Sequence, residues 1–144
     1  MFQMRIARLP KAIAFAMAAA LLTGLPQTTT AAESCDRTCL AGLITQYVDA
    51  VVAHDHARLP LVGTVKYTED SKVVKLGDGL WKSVTAKGTF RHDYLDVKKQ
   101  VAATHVHLME DKSHVLYSVL LHVQDRRIAG IETLVQRIAP EGRF

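Results

Sequence analysis

Apolar residues recur with helical spacing near the start of the chain. Asp36 is suited to cap a helix at its N-terminus. Seven apolar residues then fall at i, i+3, i+4, i+7, i+8, i+11 and i+12, namely Leu40, Leu43, Ile44, Tyr47, Val48, Val51 and Val52. This spacing puts them on one side of an α-helix, so the pattern predicts an amphipathic helix that ends near His54 and Asp55.

The remainder of the chain alternates between apolar and polar positions, as β-strands do. The pattern predicts five strands separated by short polar turns, over residues 62–69, 90–97, 101–109, 114–124 and 128–138. Between the first two strands, a helical turn carrying Trp81 follows a glycine-rich turn. One helix followed mainly by strands predicts an α+β fold, with a curved, mostly antiparallel sheet wrapped around the N-terminal helix and a cavity at its open end.

The first 32 residues have the composition of a cleavable secretory signal peptide. A basic segment with Arg5, Arg8 and Lys11 precedes 14 largely apolar residues at 12–25, and small residues occupy positions −3 and −1 of a cut after Ala32. That apolar stretch is too short for a stable membrane anchor. We therefore expect a secreted or periplasmic protein in which residues 33–144 form a single domain, with no membrane attachment after cleavage.

Charge argues against a nucleic-acid partner. The full chain carries 18 Lys and Arg against 14 Asp and Glu. The predicted leader contains three of the bases and none of the acids, which leaves 15 bases against 14 acids in the domain. Because no basic stripe remains, we expect no binding to nucleic acid or to an anionic membrane surface.

The two cysteines, Cys35 and Cys39, lie four positions apart at the start of the predicted helix. An exported protein meets an oxidising environment, so a local disulfide is favoured if Cys35 lies just outside the helix. Two thiols without further ligands are a poor zinc site, and their spacing differs from the CxxC of redox enzymes. We therefore expect no metal. No glycine-rich nucleotide-binding pattern follows a strand, so we expect no cofactor either.

The order of several short motifs resembles the nuclear-transport-factor-2-like, or SnoaL-like, superfamily, and within it a secreted branch of bacteria and fungi. The motifs are Cys-Asp-Arg at 35–37, Ala-His-Asp at 53–55, Leu-Pro-Leu at 59–61, Tyr-Thr-Glu at 67–69, Leu-Gly-Asp-Gly-Leu-Trp at 76–81 and Ile-Glu-Thr at 131–133. The resemblance implies a cone-shaped fold with helices in the concave face of a curved sheet and a pocket inside. It also implies a range of activities that includes isomerases, dehydratases, lyases and non-catalytic binders.

Two carboxylates are candidate proton carriers because of their positions in predicted strands. Glu132 has the same parity as Ile128 and Leu134, and Glu69 has the same parity as Val65. A carboxylate on an apolar face loses hydration, which raises its pKa and suits it to proton transfer. The alternatives are a structural ion pair for Glu132 and a solvated turn position for Glu69.

Aromatic residues supply further candidates for the same cavity. The hydroxyl groups of Tyr47 and Tyr67 are suited to stabilise developing charge, and Trp81 is suited to form a lid or wall. Core packing is the alternative for all three residues.

Two histidines, His105 and His107, share one face of a predicted strand with Val101, Ala103 and Met109. His105 is a candidate general base, while His107 and Met109 are candidate ligand-binding residues. The pair lacks a third metal ligand nearby. If this face is the outer one, both histidines are exposed or contact a second subunit, and a homodimer through the sheet is then an option.

These residues favour a cofactor-independent enzyme that uses general acid–base catalysis on a small apolar or aromatic molecule. The reaction would be proton abstraction followed by elimination or isomerisation, with Glu132 or His105 as base and Tyr47, Tyr67 or Glu69 as hydrogen-bonding partner. The alternative is a non-catalytic module that binds a small ligand or has a structural role.

We expect the exported protein to begin near Glu33, because signal peptidase cuts after small residues. Mass spectrometry of N-terminal peptides from protein exported by its native host checks this expectation. Recovery of an intact Met1 on that protein would contradict it.

Overall fold

The computed structural model describes residues 33–138. Within this range lie one α-helix, two short 3₁₀ turns at His56–Arg58 and Gly79–Lys82, and six strands. In chain order these are α1 (Arg37–Val52), β1 (Leu61–Glu69), β2 (Lys72–Val73), β3 (Ala86–Asp96), β4 (Val101–Glu110), β5 (Ser113–Gln124) and β6 (Arg127–Ile138). None of the helices in residues 33–138 is both long enough and apolar enough to cross a membrane.

The strands form one sheet in the order β2-β1-β6-β5-β4-β3. Neighbouring strands run antiparallel except for β1 and β6, which are parallel. The sheet curls around α1 without closing, so the predicted α+β class is confirmed. The parallel pair was not predicted, because β1 and β6 are far apart in sequence and parity does not reveal which strands are partners.

Helix α1 begins where the sequence predicts, because the Asp36 side chain accepts a hydrogen bond from the Cys39 amide at 2.8 Å. Its apolar stripe packs on the inner face of the sheet, chiefly against β3 and β4. Six of the seven predicted stripe residues are buried, namely Leu40, Leu43, Ile44, Tyr47, Val48 and Val51. The helix and sheet therefore share one hydrophobic core, as helical periodicity predicts.

Strand parity separates the two faces of the sheet. In β5 the inner positions are all buried, namely Val115, Tyr117, Val119, Leu121 and Val123. In β4 the inner positions are Ala102, Thr104, Val106 and Leu108. The face of β4 that carries His105 is therefore the outer one, which is the second of the two placements considered for the histidines.

A β-bulge in β6 corrects the predicted position of Glu132. The pairing register of β5 with β6 shifts between His122 and Val123. As a result, Ile128 and Ile131 are both buried on the inner face although three positions separate them. The extra residue reverses parity beyond the bulge, so Glu132 lies on the outer face and not beside Ile128.

The Cys35–Cys39 disulfide is present, with Cys35 just before the helix and Cys39 in its first turn. Hydrogen bonds from the side chain of Gln100 hold the same segment. The Cys35 amide donates to Gln100 Oε1 at 2.6 Å, and Gln100 Nε2 donates to the Cys35 carbonyl at 2.8 Å. The start of the helix is thus tied to the turn between β3 and β4 by side-chain hydrogen bonds as well as by its own disulfide.

Replacing Cys35 and Cys39 together by Ser should lower the free energy of unfolding by a few kcal/mol at most, because the closed loop is short. The fold should survive, since Gln100 still holds the segment. Urea denaturation followed by circular dichroism measures the change, and the Thr38→Ser variant, also in the first helical turn, is the control. Loss of all cooperative unfolding would show that the disulfide is essential.

Candidate functional site

Four aromatic side chains and one carboxylate meet on the inner face of the sheet. We call them the inner cluster: Tyr47, Tyr67, Glu69, Trp81 and Tyr117. The hydroxyl groups of Tyr47 and Tyr117 are 2.9 Å apart and share a hydrogen bond. The Tyr67 hydroxyl donates to Glu69 Oε2 at 2.8 Å. The cluster thus joins α1, β1, β5 and the segment between β2 and β3.

Glu69 lies at the end of β1 with the inward parity that the sequence predicts. Besides the Tyr67 hydroxyl, its Oε2 accepts the backbone amide of Leu80 at 3.0 Å. A Cβ atom at position 79 would lie 2.5 Å from Glu69 Oε1, so only glycine leaves room for the carboxylate there. Glu69 is half-buried and hydrogen-bonded, so it is not the freely solvated turn residue that was the alternative to a site residue.

Trp81 is packed in the core at 1% exposure, against the edge of the Tyr47 ring at a centroid distance of 5.6 Å. Its carbonyl is bonded to the His54 ring. Among the described residues, the indole Nε1 has no partner with hydrogen-bond geometry, although it lies near enough to the Tyr47 hydroxyl to oppose the rise that burial causes in the pKa of that group. A buried donor without an acceptor is unfavourable, so this N–H is a position where a ligand oxygen would be stabilised.

Burial raises the pKa of all three tyrosines of the inner cluster above the ordinary value. For all three tyrosines the main cause is desolvation by burial. The tyrosines consequently remain protonated at neutral pH and act as neutral hydrogen-bond donors. The exposed fraction of Tyr47, Tyr67, Tyr117 and Trp81 is 0–1%, so these rings fill the space where the sequence predicts an open cavity.

Tyr117 belongs to this group although it was not among the predicted site residues. The available signal was its hydroxyl, because a tyrosine at an inward position needs a polar partner when it is buried. The sequence alone could not show that this partner is Tyr47, 70 positions away.

The other predicted site residues lie on the outer face, where the structure has a cleft of about 410 Å³. This cleft is formed by two adjacent rows of residues, and each row consists of residues that pair across neighbouring strands. One row runs Tyr94, Ala103, Leu120, Glu132 and Thr68 across the strands, and the next runs His105, Ser118 and Leu134. We call this the outer cleft.

Polar groups of the outer cleft are paired with one another. His105 Nδ1 is 2.8 Å from Ser118 Oγ, and His122 Nε2 is 2.9 Å from Glu132 Oε1. Glu132 is 64% exposed, so it lacks the apolar surroundings predicted for it. Glu132 and His105 do share one cleft, but the sheet separates them from the inner cluster.

His107 and Met109 lie on the outer face beyond the residues that line the outer cleft. His107 Nε2 is 2.8 Å from His114 Nδ1, and the two rings stack at 5.0 Å. Burial and then the neighbouring His114 lower the pKa of His107. Met109 is partly buried and is paired with Ala86 and His114. In residues 33–138, no three His, Cys, Asp or Glu side chains are grouped as metal ligands.

Comparison with known proteins identifies the fold. No family model matches the chain, and no curated protein matches its sequence. Among solved structures it is similar to a proposed ketosteroid isomerase from Kribbella flavida, with 16% identity and a TM-score of 0.52. That likeness covers 74% of this chain and 84% of the other. The fold is therefore of the nuclear-transport-factor-2-like, or SnoaL-like, type, as the sequence motifs imply.

Gly79→Ala should destabilise the protein by at least ~1 kcal/mol, because a side chain is strained at φ +68° and its Cβ would displace Glu69 from Tyr67 and Leu80. Gly63→Ala is the matched control, since it also has a positive φ of +33° but no atom within 4 Å of an added Cβ. Urea denaturation of the two variants measures the difference. Equal losses would mean that the Glu69 contacts contribute nothing to stability.

Proposed function

We propose that this protein is an exported enzyme of the isomerase or lyase type. It acts without a cofactor on a small, largely apolar carbonyl compound, by general acid–base catalysis in the inner cluster. The observation that carries the proposal is the buried indole N–H of Trp81, which makes no hydrogen bond of normal geometry among the described residues and lies near the Tyr47 hydroxyl. Export rests on the predicted signal peptide at residues 1–32.

The donors of the inner cluster suit an oxygen that gains negative charge. Proton abstraction next to a carbonyl group turns the carbonyl oxygen into an enolate oxygen. Because burial keeps Tyr47 and Tyr117 protonated, one of their two hydroxyl protons stays in the bond between them, and the other donates to that oxygen together with the Trp81 N–H, without ionisation of either tyrosine. Donors fixed in a dry interior stabilise such charge better than water does, since they need no reorientation during the reaction.

Glu69 is the base in this proposal. Its carboxylate takes a proton from the carbon next to the carbonyl and returns it to a different carbon, which moves the double bond and leaves the enzyme unchanged. Loss of a leaving group from the same enolate would give the lyase reaction. We assign this role to Glu69 and not to Glu132 or His105, because those two lie on the opposite face of the sheet from the tyrosines.

Access to the inner cluster requires the segment that carries Leu80 and Trp81 to open and then to close again, so that the Trp81 N–H is back in place before the reaction. Both side chains are at most 1% exposed, so displacing them exposes apolar surface worth roughly 1.5–3 kcal/mol for each side chain. An apolar substrate offsets this loss by occupying the vacated space, whereas a small polar one does not. The closed interior therefore favours an apolar substrate.

The enzyme proposal is tested with a β,γ-unsaturated ketosteroid, chosen because the structural neighbour is described as a ketosteroid isomerase. Migration of the double bond into conjugation is followed by ultraviolet absorbance. Glu69→Gln should lower kcat by about 10²–10⁴-fold, the usual contribution of a general base, because glutamine cannot accept the proton. Proton exchange of smaller ketones with D₂O, followed by NMR, extends the test to other substrates.

The control is Asp111→Asn, the same change of carboxylate to amide at an exposed turn between β4 and β5. It should keep the wild-type rate. Trp81→Phe keeps most of the packing but removes the N–H, and it should lower kcat more than it lowers the affinity for substrate. No turnover or exchange with any tested ketone, or full activity of Glu69→Gln, would refute the assignment.

A non-catalytic binding module is the second candidate function, and it is favoured by the two hydrogen bonds that Glu69 Oε2 already accepts from Tyr67 and Leu80, which stabilise the carboxylate and make it a weaker base. Such a module would raise its melting temperature with ligand while giving neither isomerisation nor exchange. The same two assays therefore separate the candidates.

A further inference from the structure

We infer that the outer cleft is a separate binding site for a flat aromatic molecule carrying a hydroxyl group. It lies on the opposite face of the sheet from the inner cluster. Its volume of about 410 Å³ falls within the range of small-molecule sites.

The shape of the outer cleft follows from the sizes of side chains in its two rows. Ala103 and Ser118, on the central strands β4 and β5, are short and form the floor. Tyr94 on β3 and Leu134 on β6 stand at the two sides. Three inter-strand steps separate β3 from β6, so these sides are ~14 Å apart, which suits fused aromatic rings lying across the strands.

The walls of the outer cleft supply apolar contact area. Tyr94 is 51% exposed and Leu134 is 57% exposed, so both present apolar surface to a ligand in the cleft. The Tyr94 ring is held in place, because it packs on the His92 ring at 4.7 Å and on the His105 ring at 5.5 Å. A rigid aromatic side chain binds a flat ligand with little loss of conformational entropy.

Polar groups at one end of the outer cleft select the hydroxyl. Glu132 accepts from His122 through Oε1, and a carboxylate has further lone pairs on both oxygens. A phenolic O–H at this end donates to the Glu132 carboxylate in a charge-assisted hydrogen bond. At the other end, the bond from His105 to Ser118 fixes the imidazole ring beside the ligand.

The test compares two probes of the same shape, 2-naphthol and 2-methoxynaphthalene, which differ in the O–H donor. Each is titrated into the purified exported protein while methyl and indole NMR signals are recorded. The Leu120 and Leu134 methyl signals should shift, and 2-naphthol should bind roughly tenfold more tightly than its ether, the ratio expected for one hydrogen bond to a charged group.

Variants then separate the two contributions. Glu132→Met removes the acceptor at similar length, so it should abolish the preference for 2-naphthol while leaving binding of the ether unchanged. Leu134→Ala should weaken both probes several-fold. The matched control is Val73→Ala, an apolar residue on β2 that is 72% exposed and lies outside the cleft.

Three outcomes would overturn the inference. The first is equal affinity for the two probes. The second is a shift of the Trp81 indole signal without shifts of the Leu120 and Leu134 methyls, which would locate the probes in the inner cluster. The third is a dimer in analytical ultracentrifugation that Leu134→Asp dissociates, which would show that a second copy covers the cleft.

Discussion

The contacts of one carboxylate organise the interior of this protein. Glu69 accepts from the Tyr67 hydroxyl on its own strand and from the Leu80 amide in the segment before β3. That segment brings Trp81 against Tyr47, and Tyr47 is bonded to Tyr117 on the far side of the core. Without the carboxylate, the Leu80 amide would lose its acceptor and the segment would lose its fixed distance from the sheet.

The sheet then separates two kinds of polar chemistry by a single layer of backbone. On the inner face, hydroxyl groups and an indole N–H lie in a dry, closed space where hydrogen bonds are strong and ionisation of tyrosine is suppressed. On the outer face, the exposed His122 and Glu132 pair with each other in water, and the exposed His105 is hydrogen-bonded to Ser118. The same side chains would ionise and form hydrogen bonds differently on the opposite face, because the inner face is dry and the outer face is exposed to water.

Sequence pattern predicted the parts of this arrangement that depend on regular geometry. These parts are the start of α1 after Asp36, the buried stripe of α1 and the inward direction of Glu69, which follow from periods of 3.6 and 2. The face of the sheet predicted for Glu132 was wrong, because strict alternation of faces was assumed along the whole of β6. The bulge that breaks this alternation depends on pairing with β5 and not on the residues of β6 alone. The meeting of Tyr47 with Tyr117 was missed for a related reason, since it depends on how α1 lies across the sheet.

The parallel pairing of β1 with β6 also affects how the chain folds. Strands β3 to β6 follow one another through short turns and pair with their neighbours in sequence, so they form a locally connected meander. Strand β1 instead pairs with β6, the last strand of the chain. Contacts between these two strands, such as that between Thr133 and Thr68, span 65 positions. Contacts of such long range are slow to form because they close a large loop. Glu69 thus takes its final place beside Thr133 only after the last strand is made, so a shortened chain lacking β6 would have the meander's other strands but no completed interior.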